Sequence, residues 1–290
     1  MIDTLGFIGT GIMGAPMVWR LLGAGLKVIV YNRTTAKSQA LVSGGAMIAI
    51  SAQELARQCD TIILMLSNDD AVREVVSDFK SDLKPGSTII DCSTLSPSAS
   101  VAMADMLAEV NVRYIDAPVT GSRPQAEVGE LAFLIGASES SVQRFVPLFQ
   151  AMGKRMFFLG DVGRGTTAKA INNMVVAVNL AVFAEALSLA SACGLREEDF
   201  LDIVRQSGAH SAMIEHKGPR IVSRNFEPHF ALKLMHKDAA LVQKLASEHR
   251  QWTPLLDAVE QVYRKAAAEV DGGRQDVGSV YLMYLQGQGR

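Results

Sequence analysis

Little in this chain of 290 residues points to a covalent or metal-based framework. Cysteine occurs only at Cys59, Cys92 and Cys193, with no C-x-x-C spacing, which excludes a disulfide scaffold and a zinc knuckle and fits a reducing, cytoplasmic setting. There is no long run of one charge sign and the formal net charge is −2. No basic face is therefore offered to nucleic acid or to an anionic membrane. His210, His216, His229, His236 and His249 lack H-E-x-x-H spacing and an accompanying acidic cluster, so no metal is expected. The first apolar run is broken by glycines and no basic segment with a cleavage site precedes it, which speaks against a secretory signal. The most membrane-like stretch, "INNMVVAVNLAVFAEALSLASACG", carries Asn172, Asn173, Asn179 and Glu185 and reads as a buried helix of a soluble protein.

What remains is an ordinary globular composition, 49% apolar and 20% charged, on a length that allows two domains. Up to about residue 163, short apolar runs alternate with amphipathic stretches: "TLGFIG", a helix from Met13 to about Gly23, "KVIVYN", "TIILML", a helix near Ala71 to Phe79, "STIIDC", a helix near Ser98 to Val110, then "VRYIDAPV". Alternation at this spacing implies right-handed crossovers and a doubly wound parallel sheet, which "LAFLIG" and "RMFFLG" are expected to extend. From Thr166 the pattern is helical. A long apolar helix runs to Cys193, followed by amphipathic helices in "LREEDFLDIVRQSG", "LKLMHKDAALVQKLASEHR" and "TPLLDAVEQVYRKAAAEV", and the polar tail after Leu285 is expected to fray. The expected fold class is α/β, with a doubly wound domain over 1–163 and an all-α domain with a long central helix over 164–290.

Gly9, Gly11 and Gly14 have G-x-G-x-x-G spacing between a strand and a helix, inside a strand-helix-strand unit. In that context Gly9 serves a tight turn, Gly11 a close backbone approach to pyrophosphate and Gly14 helix-on-strand packing, the arrangement of a Rossmann dinucleotide site. The helix amino-terminus adds free N–H groups and a favourable dipole. At the end of the second strand stands Asn32-Arg33-Thr34, where an acidic residue would favour an unphosphorylated ribose. Arg33, the one strong cation expected there, suits a 2′-phosphate, so the cofactor is read as NADP(H).

If the long helix begins near Thr166, Lys169 and Asn173 share one face close to its start. Solvated, such a lysine is unremarkable. Partly buried in a cleft, it has a lowered pKa and becomes a proton donor near neutral pH. Asp91 and Asp116 end predicted strands and are expected to cap the turns that follow. Cys92 has no histidine signature to make it a nucleophile.

Five segments, "GFIGTGIMGAPM", "DCSTLSP", "DAPVTGSRPQAEVGELAFLIGA", "GRGTTAKAINNM" and "LKLMHKD", occur in an order and spacing that resembles the β-hydroxyacid dehydrogenase family, 3-hydroxyisobutyrate dehydrogenase-like, over essentially the whole chain. The resemblance implies Lys169 as catalytic lysine, and Thr120, Gly121, Ser122, Asn173, Phe230 and Asp238 on the substrate side. It puts Gly9, Thr10, Gly11, Ile12, Met13, Gly14, Asn32, Arg33, Thr34, Leu66, Ser67, Thr94 and Lys237 on the cofactor side. Thr120 stands where the family usually has serine, and Ser122-Arg123-Pro124 replaces a more glycine-rich loop. That loop and Phe230 look like the glyoxylate/succinic semialdehyde reductase branch, which implies short aldehyde acids and their hydroxy acids as substrates, with Arg123 open to a second charge; the alternative within the family is a 3-hydroxyisobutyrate or tartronate semialdehyde dehydrogenase/reductase. A similar imine reductase typically lacks the lysine found at 169. A non-catalytic nucleotide-binding module is expected to lack it as well and to carry a recognition tail. The apolar circumference of the long helix implies a homodimer or homotetramer.

Overall fold

The computed structural model describes residues 4–285. Its chain divides into two compact units after Lys169, inside a long helix rather than in a loop. The first unit is built on β1 (Leu5–Ile8), β2 (Val28–Tyr31), β3 (Met47–Ile48), β4 (Thr61–Leu64), β5 (Thr88–Asp91) and β6 (Arg113–Asp116). These form one six-stranded parallel sheet in the order β3-β2-β1-β4-β5-β6. Alternate residues of each strand enter opposite cores: Phe7, Ile63 and Ile90 on one face, Ile8, Ile62 and Ile89 on the other. Both faces are therefore covered, as apolar parallel strands require. The strand order reverses between β1 and β4, which opens a crevice beyond their carboxyl ends.

"LAFLIG" and "RMFFLG" do not extend this sheet. Together with β7 (Val119–Thr120) they form a separate three-stranded sheet, in which β8 (Leu131–Ile135) runs antiparallel to β7 and parallel to β9 (Gly153–Phe158). Pro118, just past β6, has no N–H to carry the parallel ladder onward, and the chain turns into β7 instead. An apolar run announces a strand but neither its neighbour nor its burial: β8 is largely buried, whereas β9 leaves Phe157 exposed.

The long helix spans Arg164–Ala192. Asp116, at the end of β6 and fully buried, accepts hydrogen bonds from Gly163 N–H at 3.0 Å, from Thr166 N–H at 2.9 Å and from the Thr166 hydroxyl at 3.4 Å. A helix start leaves its first N–H groups without partners inside the helix and carries partial positive charge, so a carboxylate there satisfies both. Asp116 thus caps a helix 47 to 50 residues away rather than the turn next to it. Glycines make the room: a Cβ on Gly136 would stand 2.0 Å from Oδ1 of Asp116, and one on Gly165 would stand 2.9 Å from Oδ2. Burial pushes the Asp116 carboxyl above its ordinary range, while the N–H donors hold it down.

In the second unit the long helix continues, joined by helices Glu197–Arg205, Ala212–Val222, Leu232–Glu248 and Pro254–Glu269. Ala177, Leu180, Ala184 and Leu187 pack with Leu201, Ile221, Met235 and Tyr263 in one core. Ala212–Val222 was not apparent from periodicity because Gly218-Pro219 interrupts it, yet it starts on a Ser211 cap. It carries Lys217, whose Nζ lies 2.8 and 2.7 Å from the two carboxylate oxygens of Asp276, both residues buried. Asp276 also accepts from the N–H groups of His229 and Phe230 at 2.9 and 3.2 Å, which ties the segment before Leu232–Glu248 into the unit. The tail expected to fray after Leu285 lies outside the described residues.

Replacing Asp116 with Ala leaves buried N–H groups without acceptors at the helix start. It is expected to cost about 2–4 kcal/mol, read as a fall in urea stability, with Asp116→Asn losing less. A change in Asp116→Ala within about 0.5 kcal/mol of wild type, the range of a neutral surface substitution, contradicts this role.

Candidate active site

A cleft opens at the carboxyl ends of β1, β2 and β4, lined by Gly9, Gly11, Asn32, Arg33, Thr34, Leu66 and Ser67 of the expected cofactor set. Thr10, Ile12 and Met13 complete the same turn, and Gly14 begins helix Gly14–Gly23. Thr94 follows β5, and Lys237 belongs to the second unit. The glycines differ in what they permit. Gly9 has φ +102 and a Cβ there would stand 2.3 Å from the Met65 carbonyl oxygen, while one on Gly14 would stand 1.9 Å from the Gly9 carbonyl oxygen. Over Gly11 a Cβ meets nothing within 4 Å. Open space above an N–H-bearing turn at a helix start fits a pyrophosphate.

Asn32 and Thr10 brace this turn. Asn32 Oδ1 accepts from Thr10 N–H at 3.0 Å, Asn32 Nδ2 donates to the Thr34 carbonyl at 2.9 Å, and the Thr10 hydroxyl lies 2.9 Å from that of Ser38. Arg33 is not the sole cation: Lys37, on the short helical turn Thr35–Lys37, lines the same cleft. Neither cation has an ion-pair partner among the described residues. Opposite them, helix Asp69–Phe79 turns Ala71, Glu74, Val75 and Asp78 to the cleft, at helical spacing that would have marked one face of that helix.

The loop after β5 is fixed from below. Ser93 N–H donates to Asp91 Oδ1 at 2.8 Å, the Tyr114 hydroxyl donates to Asp91 Oδ2 at 3.0 Å, and Ser93 Oγ accepts from Leu66 N–H at 2.8 Å. Asp91 thus caps the turn that follows it, as its sequence position suggested. Burial pushes its carboxyl up to about 6 against these hydrogen bonds. Burial likewise raises the Cys92 thiol well above its ordinary value, which removes the thiolate a nucleophile needs.

On the expected substrate side, Thr120 ends β7 and Gly121 turns at φ +117, where a Cβ would press within 2.9 Å of Leu131. Ser122 is committed elsewhere: its N–H and hydroxyl both donate to Gln125 Oε1 at 2.9 Å, a capping box for helix Arg123–Val128. Arg123 pairs with Glu127 at 2.7 Å, both half exposed. Lys169, buried at 8% exposure, lies in the second turn of the long helix, on the unit that also holds Thr120 and Gly121. In the second unit, buried Asn173 donates through Nδ2 to Asp238 Oδ2 at 2.6 Å, and Lys237 Nζ stands 3.1 Å from Asp238 Oδ1. Phe230 is held by its N–H on Asp276. Among the described residues no three His, Cys, Asp or Glu side chains gather as a metal site.

A family model described as the NAD binding domain of 6-phosphogluconate dehydrogenase matches residues 4–160, and one described as NAD-binding of NADP-dependent 3-hydroxyisobutyrate dehydrogenase matches 163–284. The chain is 34% identical over 286 residues to 2-(hydroxymethyl)glutarate dehydrogenase of Eubacterium barkeri, covering 97% of this chain and 95% of that one. It is 35% identical over 265 residues to glyoxylate/succinic semialdehyde reductase 1 of Arabidopsis thaliana, covering 90% and 92%. Among solved structures, 3-hydroxyisobutyrate dehydrogenase of Mycobacterium tuberculosis with L-serine superposes with a TM-score of 0.87 at 29% identity, covering 98% and 99%.

Two cations in one cleft make a specific expectation. Arg33→Asp and Lys37→Ala should each reduce the preference for NADPH over NADH, by about 1–3 kcal/mol per lost charge-assisted contact, and the double variant should bind NADH better. Dissociation constants for both cofactors check this; an unchanged ratio in Lys37→Ala removes the second cation from the account.

Proposed function

Because the chain belongs to the 3-hydroxyisobutyrate dehydrogenase-like family of β-hydroxyacid dehydrogenases, oxidoreductases that act on alcohol and aldehyde carbons with a nicotinamide cofactor, we propose that it reduces short aldehyde acids such as glyoxylate and succinic semialdehyde with NADPH. The observation that carries this reading is the placement of Lys169, buried one turn beyond a helix start that Asp116 clamps. Gly11, Arg33 and Lys37 would hold the dinucleotide in the β1–β4 crevice, and the chemistry it would supply there is a hydride for the carbonyl carbon. Lys169 then gives its Nζ proton to the oxygen on which negative charge develops, and recovers a proton from solvent. The Thr120 hydroxyl and the Gly121 N–H hold the substrate carboxylate, which fixes the orientation of a small molecule with few other handles. In the second unit, Asp238 orients the Asn173 amide. Ser122 is left out of this grip because Gln125 holds both its donors. Glyoxylate/succinic semialdehyde reductase 1 supports the substrate class through its name.

Lys169→Met should lower kcat by about two to four orders of magnitude, the range for a lost general acid, with NADPH affinity nearly unchanged. The wild type should show higher kcat/KM for carboxylated aldehydes than for uncharged aldehydes of similar size. Steady-state NADPH oxidation reads both, and near-wild-type turnover in Lys169→Met removes the mechanism.

Assembly belongs to the same reading. The long helix leaves Ile171, Val175, Val182 and Leu189 at 51, 55, 57 and 65% exposure. Their spacing of four and seven residues aligns them in one apolar stripe. The proposed occupant is a second copy, giving a homodimer or larger homo-oligomer. Sedimentation should show at least a dimer at micromolar concentration; a monomer alone contradicts it.

A further inference from the structure

Asp91 is a buried acid at the cofactor end of the sheet, and nothing in the proposed chemistry uses it. It stands at the carboxyl end of β5, in register with Leu64 of β4 and Asp116 of β6. One oxygen of its carboxylate takes the Ser93 N–H and the other the Tyr114 hydroxyl. Ser93, itself fully buried, then uses its Oγ to take the Leu66 N–H. A single carboxylate therefore sets the register between the loop after β5, which carries Thr94, and the loop after β4, whose Leu66 and Ser67 line the dinucleotide cleft. An ionised carboxylate is a strong acceptor at both oxygens; protonation removes the charge and weakens its hold on the Ser93 N–H and the Tyr114 hydroxyl.

We propose that ionised Asp91 is a positioning residue for the cofactor, holding the two loops in the register that the dinucleotide needs. This rests on the reading of the cleft as an NADP(H) site. The titratable groups facing Asp91 are Tyr114 and Asp116 from β6 and its neighbour Cys92; β4, on the other side, carries none over Thr61–Leu64. The repulsion from Asp116 and the burial both favour the neutral form, and the Tyr114 and Ser93 donors oppose them. Loss of the charge accordingly falls near pH 6, inside the range in which the protein can be handled.

The test is calorimetric titration with NADP+ from pH 5.5 to 8, on the full chain. The ribose 2′-phosphate also titrates at about 6, so variants must separate the two. In the wild type, affinity should fall by roughly tenfold or more as pH drops through this range, since a lost register and a less charged phosphate act together. Asp91→Asn keeps the shape but not the charge. It should bind weakly at pH 8 and retain only the shallower phosphate dependence. Tyr114→Phe removes a donor that holds the carboxyl down, so its affinity midpoint should move to higher pH. Ser93→Ala should weaken binding at every pH and also move the midpoint to higher pH, since the Ser93 side chain helps to hold the carboxyl down. A wild-type profile in Asp91→Asn overturns the proposal. If that variant does not fold, an unmoved midpoint in Tyr114→Phe overturns it and a raised midpoint upholds it. Failure of the wild type to bind NADP+ at any pH is a different result, which sinks the cofactor reading itself.

Discussion

A buried carboxylate at the start of the long helix is the constraint on which the rest of the structure leans. Asp116 ends the last strand of the parallel sheet and accepts from Gly163 and Thr166, so strand and helix are joined by charge-assisted hydrogen bonds. The helix start is thereby fixed to the first unit, and Lys169, less than one turn beyond Thr166, inherits that position. A lysine near a helix amino-terminus is disfavoured by the dipole. An anion at the same end offsets that cost. The glycines at 136 and 165 have no conformational novelty; they are small because the carboxylate occupies the space a Cβ would fill.

The polar side chains around the cleft follow one pattern: most are bound to backbone rather than aimed outward. Asn32 and Thr10 brace the glycine turn, Ser93 and Asp91 brace the two loops, and Ser122 caps its own helix. Facing the cleft are the glycine turn, two cations, Arg33 and Lys37, and the acids Glu74 and Asp78 of helix Asp69–Phe79. Turns braced by hydrogen bonds before a ligand arrives lower the ordering cost of binding.

Much of this was legible in the chain because the signals were local. G-x-G-x-x-G between a strand and a helix located the cleft, and Asn32-Arg33-Thr34 its cationic end. Three things were not. Lys37 lies past a loop whose return toward the cleft depends on the turn at Thr35–Lys37. The partner of Asp116 sits 47 or more residues away, beyond the reach of any spacing argument. The pairing of β8 with β7 and β9 instead of β6 is a choice among edges that apolar composition leaves open. Ser51-x-x-Glu54 is a local helix-start signal: Ser51 Oγ accepts from the Glu54 N–H at 3.1 Å, and Glu54 Oε2 accepts from the N–H of Ile50, the residue before the cap, at 2.7 Å, which starts helix Ala52–Gln58.

The proposed function puts a dinucleotide cleft, the buried Lys169 and the Thr120–Gly121 turn to work on one family scaffold. Mass spectrometry of the product formed from succinic semialdehyde with NADPH carrying deuterium at both C4 positions of the nicotinamide tests this most directly. The account predicts one deuterium on the new carbinol carbon with the carboxylate intact; an unlabelled alcohol, or none, contradicts it.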